Sequence, residues 1–231
     1  VSDGRQWYTL GSKSLQSTIA GTNLTGWWSF DDVSGNTLSD FSTSGLSGTL
    51  SGGLEFSSNS VVGVLDQGLS FDGIDDYVDL GTEVGDLIEG EQFSVSFWYR
   101  RDGSITNLDG IISKDQSSPF AYSLRFDGSA QLQYIINNNA MTSSFIPSLD
   151  TWYHIVSSFD SSIGRNLYVN GNLIMSDSYT TLVTSNGDSM YLGFDHTIAN
   201  SRYAEMSLDD LRVYNKVLTA EEIRLIFEQE Q

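Results

Sequence analysis

Four carboxylates lie within eight residues of the segment Leu69–Leu80, which reads LSFDGIDDYVDL: Asp72, Asp75, Asp76 and Asp79. Such a group is compatible with a metal site, with the acid and base of a hydrolase, or with a polar turn beside a wet strand face. The alternating apolar residues predict strand, turn and strand, with Asp79 directed outward between two core residues. The pattern favours the polar turn, whose aspartates accept from nearby backbone amides, because the full EF-hand pattern with its terminal Glu is missing.

The other acids give no positive sign of glycoside hydrolysis. Glycosidases need two carboxyl groups about 5–10 Å apart across a cleft. The glucanases built on β-sandwiches carry them in a Glu-x-Asp-x-Glu run on one strand face, and this chain contains no such run. The Glu-x-Glu from Glu228 to Glu230 lies in the terminal tail. We therefore expect that the protein is not an enzyme and that it has no catalytic residues.

The histidines and cysteines support the same expectation. His154 alternates with Trp152 and Val156 in TWYHIVSSF, a position typical of a packed, hydrogen-bonded imidazole in a strand. His196 is able to bind a metal through a ring nitrogen, but no second histidine stands at a matching spacing. Two such histidines make no catalytic triad. The chain contains no cysteine, which excludes a thiol nucleophile and a thiolate-bound metal.

Another set of acids is divided by nearly the whole chain. Asp31 and Asp32 end the first predicted strand, and Asp209 and Asp210 lie in the last. First and last strands are neighbours in many sandwiches, so the four carboxylates would converge and repel one another. A bound Ca²⁺ would remove the repulsion and tie the two ends of the fold together. The alternative is two separate, exposed pairs.

Composition limits the class of partner. The chain has 231 residues, a length ordinary for one β-sandwich or barrel domain. With 11 Lys and Arg against 30 Asp and Glu the net charge is −19, which repels phosphate backbones and anionic lipid headgroups. We expect no nucleic-acid partner and no membrane insertion. The surplus of Asp, Ser, Gly, Asn and Thr suits an extracellular protein.

Period-2 runs bounded by turn residues predict an all-β chain with one terminal helix. The predicted strands are Gly26 to Phe30, Leu69 to Phe71, Tyr77 to Leu80, Phe93 to Arg100, Gly110 to Lys114, Ala121 to Phe126, Ala130 to Ile136, Trp152 to Phe159, Arg165 to Val169, Asn172 to Asp177, Ser189 to Phe194 and Ser207 to Tyr214. About a dozen short strands predict two stacked sheets or a barrel.

Short local motifs predict two turns, one helix and a domain boundary. Asp127-Gly128 and Asn170-Gly171 each predict a hairpin turn. Thr219-Ala220-Glu221-Glu222 is a capping box that opens a short amphipathic helix. Residues 1–24 are rich in Ser, Thr and Gln after WYTLG, and we interpret them as an N-terminal extension or linker before a domain at 25–231.

Adjacent aromatic residues offer a possible ligand face. Trp98 and Tyr99, like Trp152 and Tyr153, follow each other in predicted strands and must point to opposite faces. One of each pair therefore points away from the core unless another element covers it, and an outward aromatic ring is able to stack on a sugar ring.

Between Trp27 and Phe227 the chain contains, in order, WWSFDD followed by SGNTLSD, LSFDGIDDYVDL, FSVSFWYRR, TWYHIVSSFD with RNLYVNG, MYLGF and SLDDLRVYNKVLTAEEI. In this order the segments resemble the laminin-G-like, concanavalin A-like jelly-roll domains of large bacterial secreted and surface proteins. The resemblance implies a two-sheet antiparallel jelly-roll sandwich with a short C-terminal helix. It also implies that FDGIDDYV is a fold marker, and that individual specificity lies in the loop 101–118 and in Asn137-Asn138-Asn139.

For function, the resemblance implies binding of glycans or proteins and a calcium ion in many members. Asp31, Asp32, Asp209 and Asp210 occupy positions where related jelly rolls often hold that ion. Our leading hypothesis is a non-catalytic, calcium-stabilised module that binds polysaccharide or glycan within a larger secreted or surface protein; its ligand-binding residues are unknown. The alternative is a structural or protein-binding domain of an adhesin, a surface assembly or a phage fibre.

Overall fold

The computed structural model describes residues 23–105, 109–114, 121–197 and 200–231. Its strands, numbered along the chain, are β1 (Leu24–Trp28), β2 (Thr37–Leu38), β3 (Gly48–Ser51), β4 (Ser60–Val62), β5 (Gln67–Asp72), β6 (Tyr77–Gly81), β7 (Gln92–Arg101), β8 (Gly110–Lys114), β9 (Tyr122–Phe126), β10 (Leu132–Ile136), β11 (Asn139–Thr142), β12 (Trp152–Asp160), β13 (Gly164–Val169), β14 (Asn172–Asp177), β15 (Met190–Leu192), β16 (Phe194–Thr197), β17 (Asn200–Tyr203) and β18 (Glu205–Tyr214). Its helices are α1 (Phe56–Asn59), α2 (Thr82–Asp86) and α3 (Ala220–Gln229). The predicted boundary between residues 24 and 25 stays a prediction, since residues 1–22 lie outside the described ranges.

Two large antiparallel sheets make up the sandwich. Sheet A has the strand order β14-β13-β12-β7-β18-β5-β4, and β1 also pairs with β18. Sheet B has the order β11-β10-β9-β8-β15-β6-β3-β2, and β16 and β17 form a separate hairpin. The predicted all-β, two-sheet antiparallel fold is therefore confirmed, and so is the predicted adjacency of the first and last strands.

The core lies between the inner faces of the two sheets. Alternation along the strands selects which residues enter it: in β6, Val78 and Leu80 are buried while Asp79 is half-buried and points outward, as predicted. In β7, Tyr99 joins the core and Trp98 points to the other side. Large core side chains from both sheets include Trp28, Phe71, Phe93, Phe97, Tyr122 and Tyr134.

Several predicted strand bounds need correction. The short strands β2, β3, β4 and β11 were not predicted, and the predicted strand Ser189 to Phe194 is divided at Gly193. The predicted strand Gly110 to Lys114 is confirmed as β8, which lies inside sheet B and divides the predicted loop 101–118. Asn137 and Asn138, with φ of 50° and 63°, turn the chain between β10 and β11. The role of these segments in specificity stays a prediction.

The local turn and cap signals are confirmed. Asn170 and Gly171 have φ of 50° and 75° and join β13 to β14, the positive φ pair that a type I′ hairpin requires. Asp127-Gly128 begins a longer connection between β9 and β10. The Thr219 hydroxyl accepts from the amide of Glu222, whose carboxylate accepts from the amide of Thr219.

Helix α3 covers part of the outer face of sheet A. Ile223 and Ile226 are fully buried and cluster with Val156, Tyr168 and Tyr214 of the sheet, together with Leu218. The Phe227 ring lies 5.8 Å from that of Trp98. The helix therefore closes the side of sheet A that faces away from the main core.

The hairpin of β16 and β17 lies against the outer face of sheet B. The ring of Phe194 lies 5.6 Å from that of Tyr77 and 4.9 Å from that of Tyr203. Arg125 of β9 donates to the Asp195 carboxylate over 2.9 Å. Each sheet thus has one part of its outer face covered and another part open.

In the described ranges the longest helix, α3, has ten residues, and no helix is both long and apolar enough to cross a membrane.

We expect Ile223→Ala to lower the free energy of unfolding by about 2–5 kcal/mol, because it leaves a cavity beneath α3. Urea unfolding followed by tryptophan fluorescence measures the change. The control is Ile163→Ala, at a side chain that is 71% exposed, which should change stability by less than about 0.5 kcal/mol. Equal effects of the two substitutions would contradict the assignment of α3 as a packed cover.

Candidate functional site

A β-bulge in β18 controls the orientation of its acids. Asp209 pairs with Trp98 of β7, but the next pairing is Arg212 with Ser96, so one residue is added to the strand. Asp210 takes up the extra residue with a φ of 51°. Simple alternation would direct Asp210 into the core; the bulge instead directs Leu211 there and leaves Asp210 beside Arg212.

Arg212 is the centre of a buried ion-pair network. Its guanidinium pairs with Asp210 and, over 2.7 Å, with Glu230 at the end of α3. Trp27 Nε1 donates to Asp210 over 2.7 Å, and Trp98 Nε1 donates to Glu230 over 2.6 Å. The pKa of Glu230 is raised to about 7, because burial, together with the smaller effect of the Asp210 charge, outweighs the lowering by Arg212.

Asp209 and Asp31 hold the loop 63–66, which joins β4 to β5, and the first residue of β5. Asp209 Oδ2 accepts from the amides of Val64 and Leu65 over 2.7 and 2.8 Å, and Asp31 Oδ1 accepts from the amide of Gln67 over 3.1 Å. Asp209 is completely buried, and its Oδ1 has no hydrogen-bond partner among the described residues. Burial, followed by the charges of Asp210 and Asp31, holds the pKa of Asp209 well above its usual range.

The four acids predicted to bind calcium do not fit one four-carboxylate site. Asp31 and Asp209 lie near enough to interact, but Asp210 is paired with Arg212. Asp32 instead accepts from the amide and the hydroxyl of Ser39, over 2.9 and 2.6 Å. Calcium prefers six to eight oxygen ligands, and the oxygens of these acids are largely engaged with the protein itself. Calcium binding by this chain stays a prediction.

The Asp72 loop is a self-capped turn, as predicted. Asp72 Oδ1 accepts from the amides of Ile74 and Asp75, over 2.8 and 3.3 Å, and Asp76 Oδ2 accepts from the amide of Asp72 over 3.1 Å. Burial raises the pKa of Asp76 to about 6. Oxygens of Asp72, Asp75 and Asp76 lie within 4.8 Å of one another, and within the described ranges this is the one group of three acids so arranged.

His154 is structural, as predicted. It is buried, its Nε2 lies 2.8 Å from Ser96 Oγ, and its ring stacks on Phe227. Burial, with a smaller effect of Arg212, lowers its pKa to about 3, so the imidazole is neutral. The side chain of His196 lies outside the described part of the structure, and its predicted ability to bind a metal stays untested.

Trp152 is the outward aromatic residue beyond the edge of α3. Across four strands of sheet A, one row of paired residues runs through Trp152, Arg100, Ser207 and Ser70. The Arg100 guanidinium lies 5.1 Å from the Trp152 ring centroid. A Cβ on Gly68 of β5 would lie 3.2 Å from the far edge of the indole, so a glycine lets the ring lie along the sheet.

The support beneath Trp152 is rigid. Arg100 Nε donates to Asp102 over 2.5 Å, and its Nη2 donates to Ser207 over 3.1 Å. The Ser207 hydroxyl donates to the other oxygen of Asp102 over 2.5 Å. The indole is half-buried, and the Arg100 guanidinium lies over one of its faces.

Comparison with known proteins identifies the family. The family model of the concanavalin A-like lectin/glucanases superfamily matches residues 72–224. No curated protein matches the chain. Among solved structures, domain 4 of AbnA, an extracellular arabinanase from Geobacillus stearothermophilus, in complex with arabinotriose, has a TM-score of 0.67 and 19% identity and covers 88% of this chain and 98% of that one.

Two larger proteins contain a similar fold. Trypanosoma rangeli sialidase has a TM-score of 0.71 and 13% identity over 95% of this chain, which spans 38% of the sialidase chain. Botulinum neurotoxin type C, whose cell entry depends on interaction with two ganglioside molecules, has a TM-score of 0.63 and 18% identity over 93% of this chain and 53% of the toxin chain. At these identities the likeness shows the fold alone.

The comparison with solved structures contradicts the prediction that the protein is not an enzyme. Structures with this fold include a sialidase and its mutant that displays trans-sialidase activity. The prediction rested on the missing Glu-x-Asp-x-Glu run, and a run within one strand is a poor criterion because a fold can assemble acids from separate strands. The fold therefore occurs within enzymes, and this chain spans about 38% of the sialidase chain.

We expect Asp209→Asn to raise stability near neutral pH when no divalent metal is present. The amide oxygen keeps the bonds to Val64 and Leu65, while the buried charge beside Asp210 and Asp31 is removed. A carboxyl whose folded pKa is raised stabilises the fold in its protonated form, so the advantage of the variant should shrink as pH falls through that pKa toward the ordinary value of about 4. Thermal melts across this pH range measure the difference.

The same variant tests calcium. If the ion binds at Asp209, calcium should stabilise the natural protein by about 2.7 kcal/mol at a hundred times its dissociation constant, and Asp209→Asn should lose this effect. Asp75→Asn is the matched control, because Asp75 is exposed and belongs to the other acid group. Loss of the calcium effect in the Asp75 variant alone would assign the ion to the Asp72 loop, and no calcium effect in the natural protein would refute both sites.

Proposed function

Because the chain belongs to the concanavalin A-like lectin/glucanases superfamily, we propose that it is a carbohydrate-binding module that uses the open outer face of sheet A. The observation that carries the proposal is the Trp152 indole, which lies along this face over the fixed Arg100 guanidinium. The indole is the platform on which a sugar ring stacks through its C–H face.

The geometry suits a sugar better than a flat protein partner. The partly exposed Asp102 and Ser70 place a carboxylate and a hydroxyl beside the platform, which match the donors and acceptors of sugar hydroxyls, while the buried Ser207 holds Asp102 from below. Arg100 and Asp102 neutralise each other, so the surface beside the ring carries little net charge. A neutral polysaccharide is therefore the ligand class that this face would accept.

A comparison of Trp98 with Trp152 explains why Trp152 is the candidate sugar-binding residue on sheet A. Both rings point away from the core, but Trp98 is 3% exposed because α3 covers it and Glu230 accepts from its indole nitrogen. Trp152 lies beyond the end of that cover and stays half-buried. Arabinotriose bound to domain 4 of AbnA supports a glycan ligand for this fold. We expect an extracellular or cell-surface location, in keeping with the composition.

We predict that Trp152→Ala lowers affinity for a retained polysaccharide by at least about tenfold, since aromatic anchors contribute roughly 2 kcal/mol or more to a binding site. Affinity electrophoresis through gels of arabinan, xylan and mixed-linkage β-glucan measures retention. Trp152→Phe keeps a smaller ring and should retain part of the affinity. The matched control is Phe41→Ala. It removes another aromatic ring, which is 54% exposed and contacts Trp27 of β1 instead of the Trp152 platform.

Three outcomes would count against the proposal. If Trp152→Ala is retained by the polysaccharide as strongly as the natural protein, the outer face of sheet A is not the binding site. Equal losses in Trp152→Ala and Phe41→Ala would indicate a general effect on the fold. A stable oligomer that no polysaccharide retains would favour the alternative of a structural or protein-binding domain.

A further inference from the structure

A second open surface lies on the opposite sheet. A groove of about 550 Å³ is formed where β3, β6 and the start of α2 meet. This volume is within the roughly 300–1,000 Å³ of small-molecule sites. The half-buried Leu46 is the apolar side chain of its lining, and Thr49 and Asp79 face each other across the paired strands. Nothing in the proposed Trp152 platform contributes to this groove.

One wall of the groove is fixed from behind. The Asp40 carboxylate accepts from the amides of Trp27, Ser42 and Leu46, over 3.0, 2.8 and 2.8 Å. Trp28 Nε1 donates to the Leu46 carbonyl over 2.9 Å. These partly buried hydrogen bonds fix the backbone at Leu46 and Ser47, which line the groove. This wall therefore needs little rearrangement when a ligand binds.

The opposite wall is fixed by a buried lysine. Lys114 is completely buried beneath α2, where its ammonium pairs with Glu89 over 2.8 Å and donates to the Asp188 carbonyl over 3.2 Å. A Cβ on Gly85 would lie 2.8 Å from the ammonium nitrogen, so the helix rests directly on it. Thr82 and Glu83 thereby acquire a defined position in the groove.

The groove is acidic and has hydroxyl groups. Asp79 and Glu83 supply two carboxylates, and Ser47, Thr49 and Thr82 supply hydroxyls, while the described residues that line it include no Lys, Arg or His. The nearby Lys114 ammonium has no exposed surface and is already paired. In a chain of net charge −19, such a groove repels anionic ligands and attracts cations.

We infer that this groove binds a sugar that carries an ammonium group, such as a 2-amino-2-deoxyhexose unit of a glucosamine polymer. The carboxylates pair with the ammonium, the hydroxyls bond to the sugar hydroxyls, and the Leu46 side chain contacts the ring's C–H face. A metal ion fits less well, because Asp79 and Glu83 belong to no group of three clustered acids in the described ranges. The inference is independent of the Trp152 platform.

Calorimetry with a glucosamine tetramer and its fully N-acetylated counterpart tests the inference. The two probes share a backbone, and only the first is charged below the pKa of the sugar amine. We expect the charged tetramer to bind at least about tenfold more tightly, with an affinity that falls as salt rises. Glu83→Gln and Asp79→Asn should each weaken it about fivefold. The amide oxygen introduced by Asp79→Asn keeps an acceptor for the Gly81 amide, which now donates to the Asp79 carboxylate.

Two controls make the test specific. Glu228→Gln removes the same charge from α3 on the other sheet and should leave binding unchanged; Trp152→Ala should also leave it unchanged. Similar melting temperatures of the variants confirm that they are folded.

Other outcomes would overturn the inference. Equal binding of the two tetramers would remove the charge preference. Binding of calcium alone that Glu83→Gln abolishes would make the groove a cation site. If a polysaccharide is retained through Trp152 but neither tetramer binds, the groove is not a sugar site and the proposed function still stands. If Trp152→Ala has no effect on retention, binding of the charged tetramer in the groove is still supported by its own measurements.

Discussion

The buried guanidinium of Arg212 is the interaction on which the assembly of sheet A depends. It pairs with Asp210 of its own strand and with Glu230, the residue that follows α3, and its guanidinium carbon lies 5.7 Å from the Trp27 ring of β1. One cation thus joins the first strand, the last strand and the terminal helix. Removing one partner of such a group would leave a buried charge without compensation, which costs about 3–5 kcal/mol.

The same network determines which outer surfaces remain open. By holding Glu230, Arg212 anchors the end of α3 over Trp98 and keeps that ring from solvent. Trp152, two residues before His154 on the neighbouring strand, lies beyond the covered area. On sheet B the hairpin of β16 and β17 has the corresponding effect and leaves the groove beside Asp79 open. The positions of the two proposed ligand sites therefore depend on which part of each outer face is left uncovered by α3 or by the hairpin of β16 and β17.

Local sequence patterns predicted the features that depend on few neighbours. Asn170-Gly171 requires only its own positive φ angles, and the capping box requires only Thr219 and Glu222. The strands β2 and β4, of two and three residues, were missed because they are too short to show alternation. Long strands such as β7 and β12 were predicted nearly in full.

The candidate sites depended on contacts that a local pattern does not contain. Strict alternation along β18 would place Asp209 and Asp210 on opposite faces, but the bulge directs Leu211 into the core and leaves Asp210 beside Arg212 on the outer side. The fixing of Trp152 by Arg100 depends on strand register, and the groove depends on Lys114 beneath a helix from an earlier part of the chain. Asp79, in contrast, was predicted correctly from its own strand.

The pairing of β1 with β18 also has a consequence for the order of events during folding. Trp27 and Asp210 are 183 positions apart, and Trp98 and Glu230 are 132 apart. Such contacts carry a large loop-closure entropy and form slowly. During synthesis β1 has no partner strand in sheet A until β18 has left the ribosome, so its edge stays unpaired in that sheet while the residues between them are made.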